Sequence, residues 1–377
     1  KNRSDEHNFE QLATSSIYKV STSGQSEKWL DDAMYRGISL SPDGNYVMVT
    51  KINKPFSYLV TYSRFPSITD IYSKDGDFVA NILNTPLIEE LPKGFMSTNK
   101  GKRSYSWRSD KASTLIYVEA LDGGDPANKV DHRDEVFELE EPFNGEGRSL
   151  IKTINRYAGI DWGNDNLAIA YDRWWNTRNT KAYAFNPSDN SSLPKIISDR
   201  NYQDIYSDPG SFLKQRNDFN RSVLMIHSGS AFLRGSGFTS KGQFPFIDKV
   251  STSSFSKKRV YQSEYTDKVE SIQDYDPSKN QLVVRIESPT EYPNYYFKKI
   301  NSNRLNKITD FKNPFEELQR VKKQTITYTR DDGVELSGIL YLPIDYDEEK
   351  KEKRPMILWA YPREFKDRKS ASQNNKN

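Results

Sequence analysis

Hydrophobic positions along this chain alternate instead of recurring at helical spacing, and they come as pairs of short runs joined by turn-forming residues. In the clearest pair, Ile38 and Leu40 lead into Ser41-Pro42-Asp43-Gly44, and the chain returns through Tyr46, Met48 and Val49. Proline sets φ at the second turn position, aspartate tolerates the third, and glycine supplies a left-handed residue, so the pattern predicts strand, tight turn and strand. The unit recurs in degenerate form. Tyr105-Ser106-Trp107-Arg108-Ser109-Asp110 leads to Leu115-Ile116-Tyr117-Val118, and Ile160-Asp161-Trp162-Gly163-Asn164-Asp165 to Leu167-Ala168-Ile169-Ala170. Asp218-Phe219-Asn220 precedes Val223-Leu224-Met225-Ile226, and Tyr275-Asp276-Pro277-Ser278 precedes Leu282-Val283-Val284.

A second kind of hairpin follows several of these. The run from Ile68 to Val79 has Asp75-Gly76 at its tip, and Ala182-Tyr183-Ala184-Phe185 and Tyr295-Tyr296-Phe297 open others. Two hairpins make four antiparallel strands, repeated at roughly 40 to 65 residues, which predicts a β-propeller, whose blades run at about 40–45 residues before insertions. A β-sandwich with coincidental turns is the rival architecture. The expected fold is therefore all-β, a propeller of about seven four-stranded blades, six of them visible. Residues 1–30 read as a partial blade with an outer hairpin at Ser16–Gly24, and 31–318 as the propeller.

The texture changes near residue 311. Phe311 to Leu318 reads as a linker with a short helical turn, followed by a hairpin from Gln324 to Pro343 around Asp331-Asp332-Gly333. Pro355-Met356-Ile357-Leu358-Trp359-Ala360-Tyr361 is then continuously apolar. Such a run suits a strand buried on both faces of an α/β sheet. Residues 319–377 are accordingly expected to open a second domain, incomplete where the sequence stops.

Composition narrows the chemistry. The 377 residues carry 55 Lys+Arg against 52 Asp+Glu, a net charge of +3 that implies no nucleic-acid surface. The 23 Tyr, 19 Phe and 6 Trp exclude a disordered chain despite a mean hydropathy of -0.85. No run is apolar enough for a membrane span, and Lys1-Asn2-Arg3 does not read as a signal peptide. Zero cysteine removes disulfides, thiol nucleophiles and zinc-thiolate sites while leaving the compartment open. The histidines are His7, in a polar terminus, His132 and His227, at a strand end. His132 and Glu135 could suggest a metal pair, but two ligands do not close a site, so no metal and no cofactor are expected. The nucleophile-elbow pattern Gly-x-Ser-x-Gly does not occur; Gly235-Ser236-Gly237 has the wrong offsets and reads as a turn.

Taken in order, Leu40-Ser41-Pro42-Asp43-Gly44, Trp107-Arg108-Ser109-Asp110-Lys111, Leu121-Asp122-Gly123-Gly124-Asp125-Pro126 and Arg133-Asp134-Glu135-Val136-Phe137 form a specific set. It continues with Trp162-Gly163, Thr177-Arg178, Asp199-Arg200, the stretch from Gln203 to Gly210, and Trp359-Ala360-Tyr361-Pro362-Arg363-Glu364-Phe365. With these motifs the chain resembles the prolyl oligopeptidase superfamily of serine peptidases, most closely its glutamyl endopeptidase-like branch. The resemblance implies a propeller that restricts access to an α/β-hydrolase domain, a peptide substrate, and a catalytic Ser, Asp and His lying C-terminal to the residues present here. The intact protein would then cleave peptides through an acyl-enzyme, and this chain alone is expected to be inactive.

Two kinds of residue could bear on that chemistry. Tyr361 resembles the position of a tyrosine hydroxyl that supplements the oxyanion hole, where a preorganised donor meets charge that grows in the transition state; a packed strand-end tyrosine fits the same pattern. Arg133, Arg173, Arg178 and Arg363 could pair a substrate carboxylate through the bidentate guanidinium fork, the commoner role for each being a structural ion pair or a solvated charge. Trp174-Trp175 reads as inter-blade packing and the charged run 350–354 as a solvated loop. The alternative function is a stand-alone propeller binding a peptide, glycan or protein partner, with 319–377 as a packed tail. An extracytoplasmic bacterial location is expected, and the sequence sets no oligomeric state.

Overall fold

The computed structural model describes residues 2–302, 304–350, 352–360 and 363–373. The architecture is all-β, of β-propeller type: antiparallel up-and-down sheets of four strands follow one another along the chain. An 11-residue helix, α1 (Arg3–Ala13), precedes them where the sequence suggests only a polar terminus that includes His7. Its start is fixed by a capping box: Asn2 accepts from the Ser4 N–H, and Asp5 reaches back to the Asn2 N–H. Phe9 and Ala13 then pack against buried Met34, Ile52 and Phe65, which gives the helix the tertiary support its short length needs.

The partial blade is a two-stranded sheet, β1 (Ser15–Val20) with β2 (Ser26–Ala33). The first full blade comprises β3 (Tyr35–Leu40), β4 (Tyr46–Ile52), β5 (Ser67–Ser73) and β6 (Phe78–Thr85). Its Ser41–Gly44 turn forms as predicted: Gly44 takes φ +76°, its N–H donates to the Ser41 carbonyl at 3.0 Å, and the Ser41 hydroxyl donates to Asp43 at 2.6 Å. The next blade is β7 (Arg103–Trp107), β8 (Leu115–Ala120), β9 (Asp134–Leu139) and β10 (Arg148–Thr153). It is followed by β11 (Arg156–Asn164), β12 (Leu167–Trp174), β13 (Asn179–Phe185) and β14 (Lys195–Asn201).

The fourth blade is irregular. Its strands are β15 (Ser211–Phe212), β16 (Lys214–Arg216), β17 (Ser222–Leu224), β18 (Ile226–His227) and β19 (Ser230–Gly235). The short hairpin β20 (Phe238–Thr239) and β21 (Gly242–Gln243) precedes β22 (Phe246–Ser251) and β23 (Lys257–Gln262). β15 and β18 both pair with β19, whereas β16 and β17 pair only with each other among the described residues. The last blade, β24 (Val269–Asp276), β25 (Gln281–Glu287), β26 (Asn294–Lys299) and β27 (Leu305–Lys307), is regular. Beyond a short 3-10 turn at Glu316–Arg320, β28 (Lys322–Thr329) and β29 (Glu335–Leu342) make the predicted hairpin.

Two compact units emerge. The first holds residues 1–176, 180–199 and 214–224; the second holds 177–179, 200–213 and 225–377. In the first, Ile116, Val118, Val136, Ile151, Trp162, Ala168 and Tyr183 form one buried cluster across two blades. Such side chains contribute roughly 1.5–3 kcal/mol each when taken fully from water. Arg108, buried beside them, bonds Asp110 at 2.7 Å and Glu138 at 2.5 Å and lies 4.2 Å from the Trp162 ring. The β16–β17 hairpin belongs to this unit. Arg221 donates to the carbonyls of Leu40 and Ser41, Asn217 to that of Ser109, and Lys214 pairs with Asp161 at 2.6 Å. The second unit has its own core of Leu213, Phe232, Ile247, Tyr261, Ile272, Leu282 and Val284. A closed polar group lies within it: Glu270 accepts from Tyr261 and Ser263 and pairs with Lys298 at 3.1 Å.

Residues 355–360 depart from expectation. No described residue pairs with them as a strand, and Ile357 and Trp359 are 94% and 89% exposed. Among the described residues no strand neighbours this apolar run.

Candidate functional site

The residues singled out by sequence fall in two places, one in each unit. In the first unit, Arg133 joins a buried ion-pair cluster assembled from the ends of three strands. Asp122, in the turn after β8, accepts from Arg133 at 2.7 Å, from Arg156 at 2.8 Å and from the Gly124 N–H at 3.0 Å. Asp134, which opens β9, accepts from Arg103 at 2.5 Å, from Arg156 at 3.0 Å and from the Tyr157 N–H at 2.8 Å. Arg103 opens β7 in one blade and Arg156 opens β11 in the next, and Asp134 joins the two across the sheets. Both carboxylates are fully buried. The Arg133 guanidinium lies 3.8 Å from the Trp174 ring, and Trp175 packs on Phe95, so both tryptophans are engaged within this unit. The turn demands glycine at 124: φ is +80°, and a Cβ there would come within 2.1 Å of the Thr98 carbonyl oxygen. A cavity of about 440 Å³ lies beside it, with Leu87, Leu91, Thr98, Lys100 and Gly123 in its wall.

Arg173 stands opposite Arg156 across the β11–β12 ladder with an exposed side chain.

In the second unit, Arg178 sits at φ +56° in the turn before β13, with a buried guanidinium that donates to Glu364 at 2.7 Å. The segment 363–373 is tied down around it. Gln203 donates to the Glu364 carbonyl at 2.6 Å and accepts from the Lys366 N–H at 2.9 Å. Asn201 donates to Asp367 at 2.7 Å, which also caps the short helix α2 (Arg368–Ala371). Gln373 donates to Asp204 at 2.5 Å and accepts from the Ile205 N–H at 2.8 Å. Burial pushes the Asp204 carboxyl up, but hydrogen bonds from Gln373 and Ser207 and the charge of Lys369 outweigh it and hold the group below its ordinary range. Arg363 lies 5.6 Å from the Phe365 ring. Tyr361 lies outside the described residues.

The four nominated arginines are therefore not brought to one point. Arg133 is committed to Asp122 and Arg178 to Glu364, while Arg173 and Arg363 present exposed side chains. Arg103 and Arg156 are not singled out by the sequence, and Asp122 and Asp134 only as members of motifs. Arg103, Asp134 and Arg156 each open an observed strand, and their pairing depends on packing between neighbouring blades.

No protein-family model matches the chain. Two curated relatives do: a protein described as probable glutamyl endopeptidase, chloroplastic, from Oryza sativa subsp. japonica is 35% identical over 381 residues, 97% of this chain and 41% of the relative. Its counterpart from Arabidopsis thaliana is 34% identical over 382 residues, 97% and 40%. The chain thus spans about two fifths of the curated relatives it matches. Among solved structures, the Pyrococcus horikoshii acylaminoacyl peptidase aligns with a TM-score of 0.45 and 13% identity over 90% of this chain and 48% of that one. The β-propeller domain of the Trilobed protease from Pyrococcus furiosus aligns with a TM-score of 0.36 and 11% identity over 81% and 79%. Both curated relatives are named chloroplastic, so the expected bacterial extracytoplasmic location finds no support among the matches. No described helix is long and apolar enough to cross a membrane. On its sequence relationship across nearly its whole length, the chain belongs to the prolyl oligopeptidase superfamily of serine peptidases, in the glutamyl endopeptidase-like branch.

Proposed function

We propose that this chain is the access-controlling propeller portion of a serine-type peptidase that hydrolyses peptides through an acyl-enzyme, and that it is inactive by itself. The observation that carries this reading is 35% identity over 97% of the chain to a probable glutamyl endopeptidase of which it spans 41%. The bare apolar run Met356–Trp359 supports it, because such a segment gains stability only when further strands of a sheet flank it. Residues 31–318 then serve as the propeller and 319–377 as the opening of the peptidase domain. Tyr361 follows that run as a supplementary oxyanion donor. Arg363, with an exposed side chain, is the nominated arginine best placed to meet a substrate carboxylate. The reading is tested with a fluorophosphonate probe and an internally quenched peptide containing glutamate. This chain should neither label nor turn over substrate, and the same chain continued into a complete peptidase domain should do both. Labelling of this chain alone would refute the proposal.

A stand-alone peptide-binding propeller is the second reading, and the docking of 363–373 onto Arg178, Asn201, Gln203 and Asp204 favours it. Limited proteolysis separates the two. A C-terminal segment that resists cleavage throughout 309–360 supports the binding module, and preferential cleavage there supports the peptidase portion.

A further inference from the structure

The Asp122–Asp134 cluster is not balanced. Three guanidiniums, those of Arg103, Arg133 and Arg156, face two carboxylates, and no other carboxylate pairs with them among the described residues. One positive charge is therefore left in a group in which Asp122, Asp134 and Arg156 are buried and Arg103 and Arg133 are 13% and 14% exposed. Buried charge is costly unless paired. The hydrogen bonds tell the same story. Arg103 and Arg156 each give one Nη to opposite oxygens of Asp134, and the other Nη of each, Arg103 Nη1 and Arg156 Nη2, is buried with no acceptor among the described residues. The remaining donors of Arg156 are satisfied: Nε bonds the Met96 carbonyl at 2.8 Å, and Nη1 bonds Asp122 and Asp134. An orphaned donor on a charged group costs more than a neutral one, and two occur beside one carboxylate in a cluster with surplus positive charge.

We propose that these two guanidiniums hold a small monovalent anion, a halide or a carboxylate, which neutralises the cluster and joins β7 to β11. A neutral water would satisfy the donors but not the charge. The inference is independent of the peptidase reading and holds equally for a binding module.

The test uses the full chain in chloride-free methanesulfonate buffer, titrated at constant ionic strength with sodium bromide or sodium acetate while the thermal midpoint is read. A site of this kind gives a saturable rise in Tm, because a ligand that binds only the folded state stabilises it by mass action. A rise with bromide alone identifies a halide, and a rise with acetate identifies a carboxylate. Arg156→Gln should shift half-saturation about tenfold upward or abolish the rise. Should that variant fail to fold, crystals of the unaltered protein soaked in bromide provide the second reading: anomalous density within hydrogen-bonding distance of Arg103 Nη1 and Arg156 Nη2. No saturable rise with either salt, together with no such density, overturns the proposal.

Discussion

Leu115 and Ile357 are both apolar residues in continuously apolar runs, yet the first is fully buried and the second almost fully exposed. Leu115 lies in β8, flanked by β7 and β9, and packs with Ile71, Tyr117, Leu139 and Phe143. Ile357 belongs to an equally apolar run with no neighbouring strand among the described residues. The contrast shows what a hydrophobic sequence specifies. It states that a segment is to be buried, and burial then depends on partners whose position the segment cannot encode.

The sharpest way to test the blade side of this contrast is its charged interior. Asp134→Asn strips Arg103 of its carboxylate and leaves Arg156 with Asp122 alone, and should destabilise the chain by about 3–5 kcal/mol, read from urea unfolding. The apolar pair comes next. Leu115→Ala should cost about 2–5 kcal/mol, whereas Ile357→Ala should fall within about 0.5 kcal/mol of the unaltered chain. Equal losses at the two positions would break the comparison. A smaller effect is expected at the helix start: Asn2→Ala removes the capping box of α1 and should cost about 0.5–2 kcal/mol of local stability, seen as faster amide exchange across 5–13.

The subtlest effect is pH-dependent. Partial burial pushes the Asp43 carboxyl up, but hydrogen bonds from Ser41, Asn45 and Ser113 more than offset this and lower it overall. A carboxyl depressed in the folded state binds its proton more readily when unfolded. Its stabilisation is therefore complete above the ordinary aspartate pKa of about 3.9 and is lost as pH falls through the depressed folded value. Acid unfolding of Asp43→Asn, compared with the unaltered chain, should show a shallower loss of stability below about pH 4.

These contrasts also mark how far the sequence could be read. Turns written in local chemistry were legible: Ser41–Gly44, Asp75-Gly76 and Asp331-Asp332-Gly333 each form the hairpin their residues predict. The helix α1 was not, because its stability comes from Phe9 meeting Phe56 and Phe65 roughly fifty residues away, and no periodicity in 3–13 announces that. The detachment of β16 and β17 from the neighbouring strands of their blade was equally hidden, since it depends on Arg221 and Asn217 finding carbonyls near Leu40 and Ser109. At the candidate site, Arg133 was visible from its motif. That Arg156 joins its partner Asp122 and Asp134 was not, since packing between neighbouring blades decides which of these charges meet.

The reading proposed for this chain makes 31–318 the propeller and 355–360 a strand that strands of a peptidase domain would flank. Amide hydrogen exchange of this chain, followed by mass spectrometry, tests it directly. The account predicts strong protection across 115–120 and exchange close to the unstructured rate across 356–360. Protection at 356–360 comparable to that of the blades would contradict it.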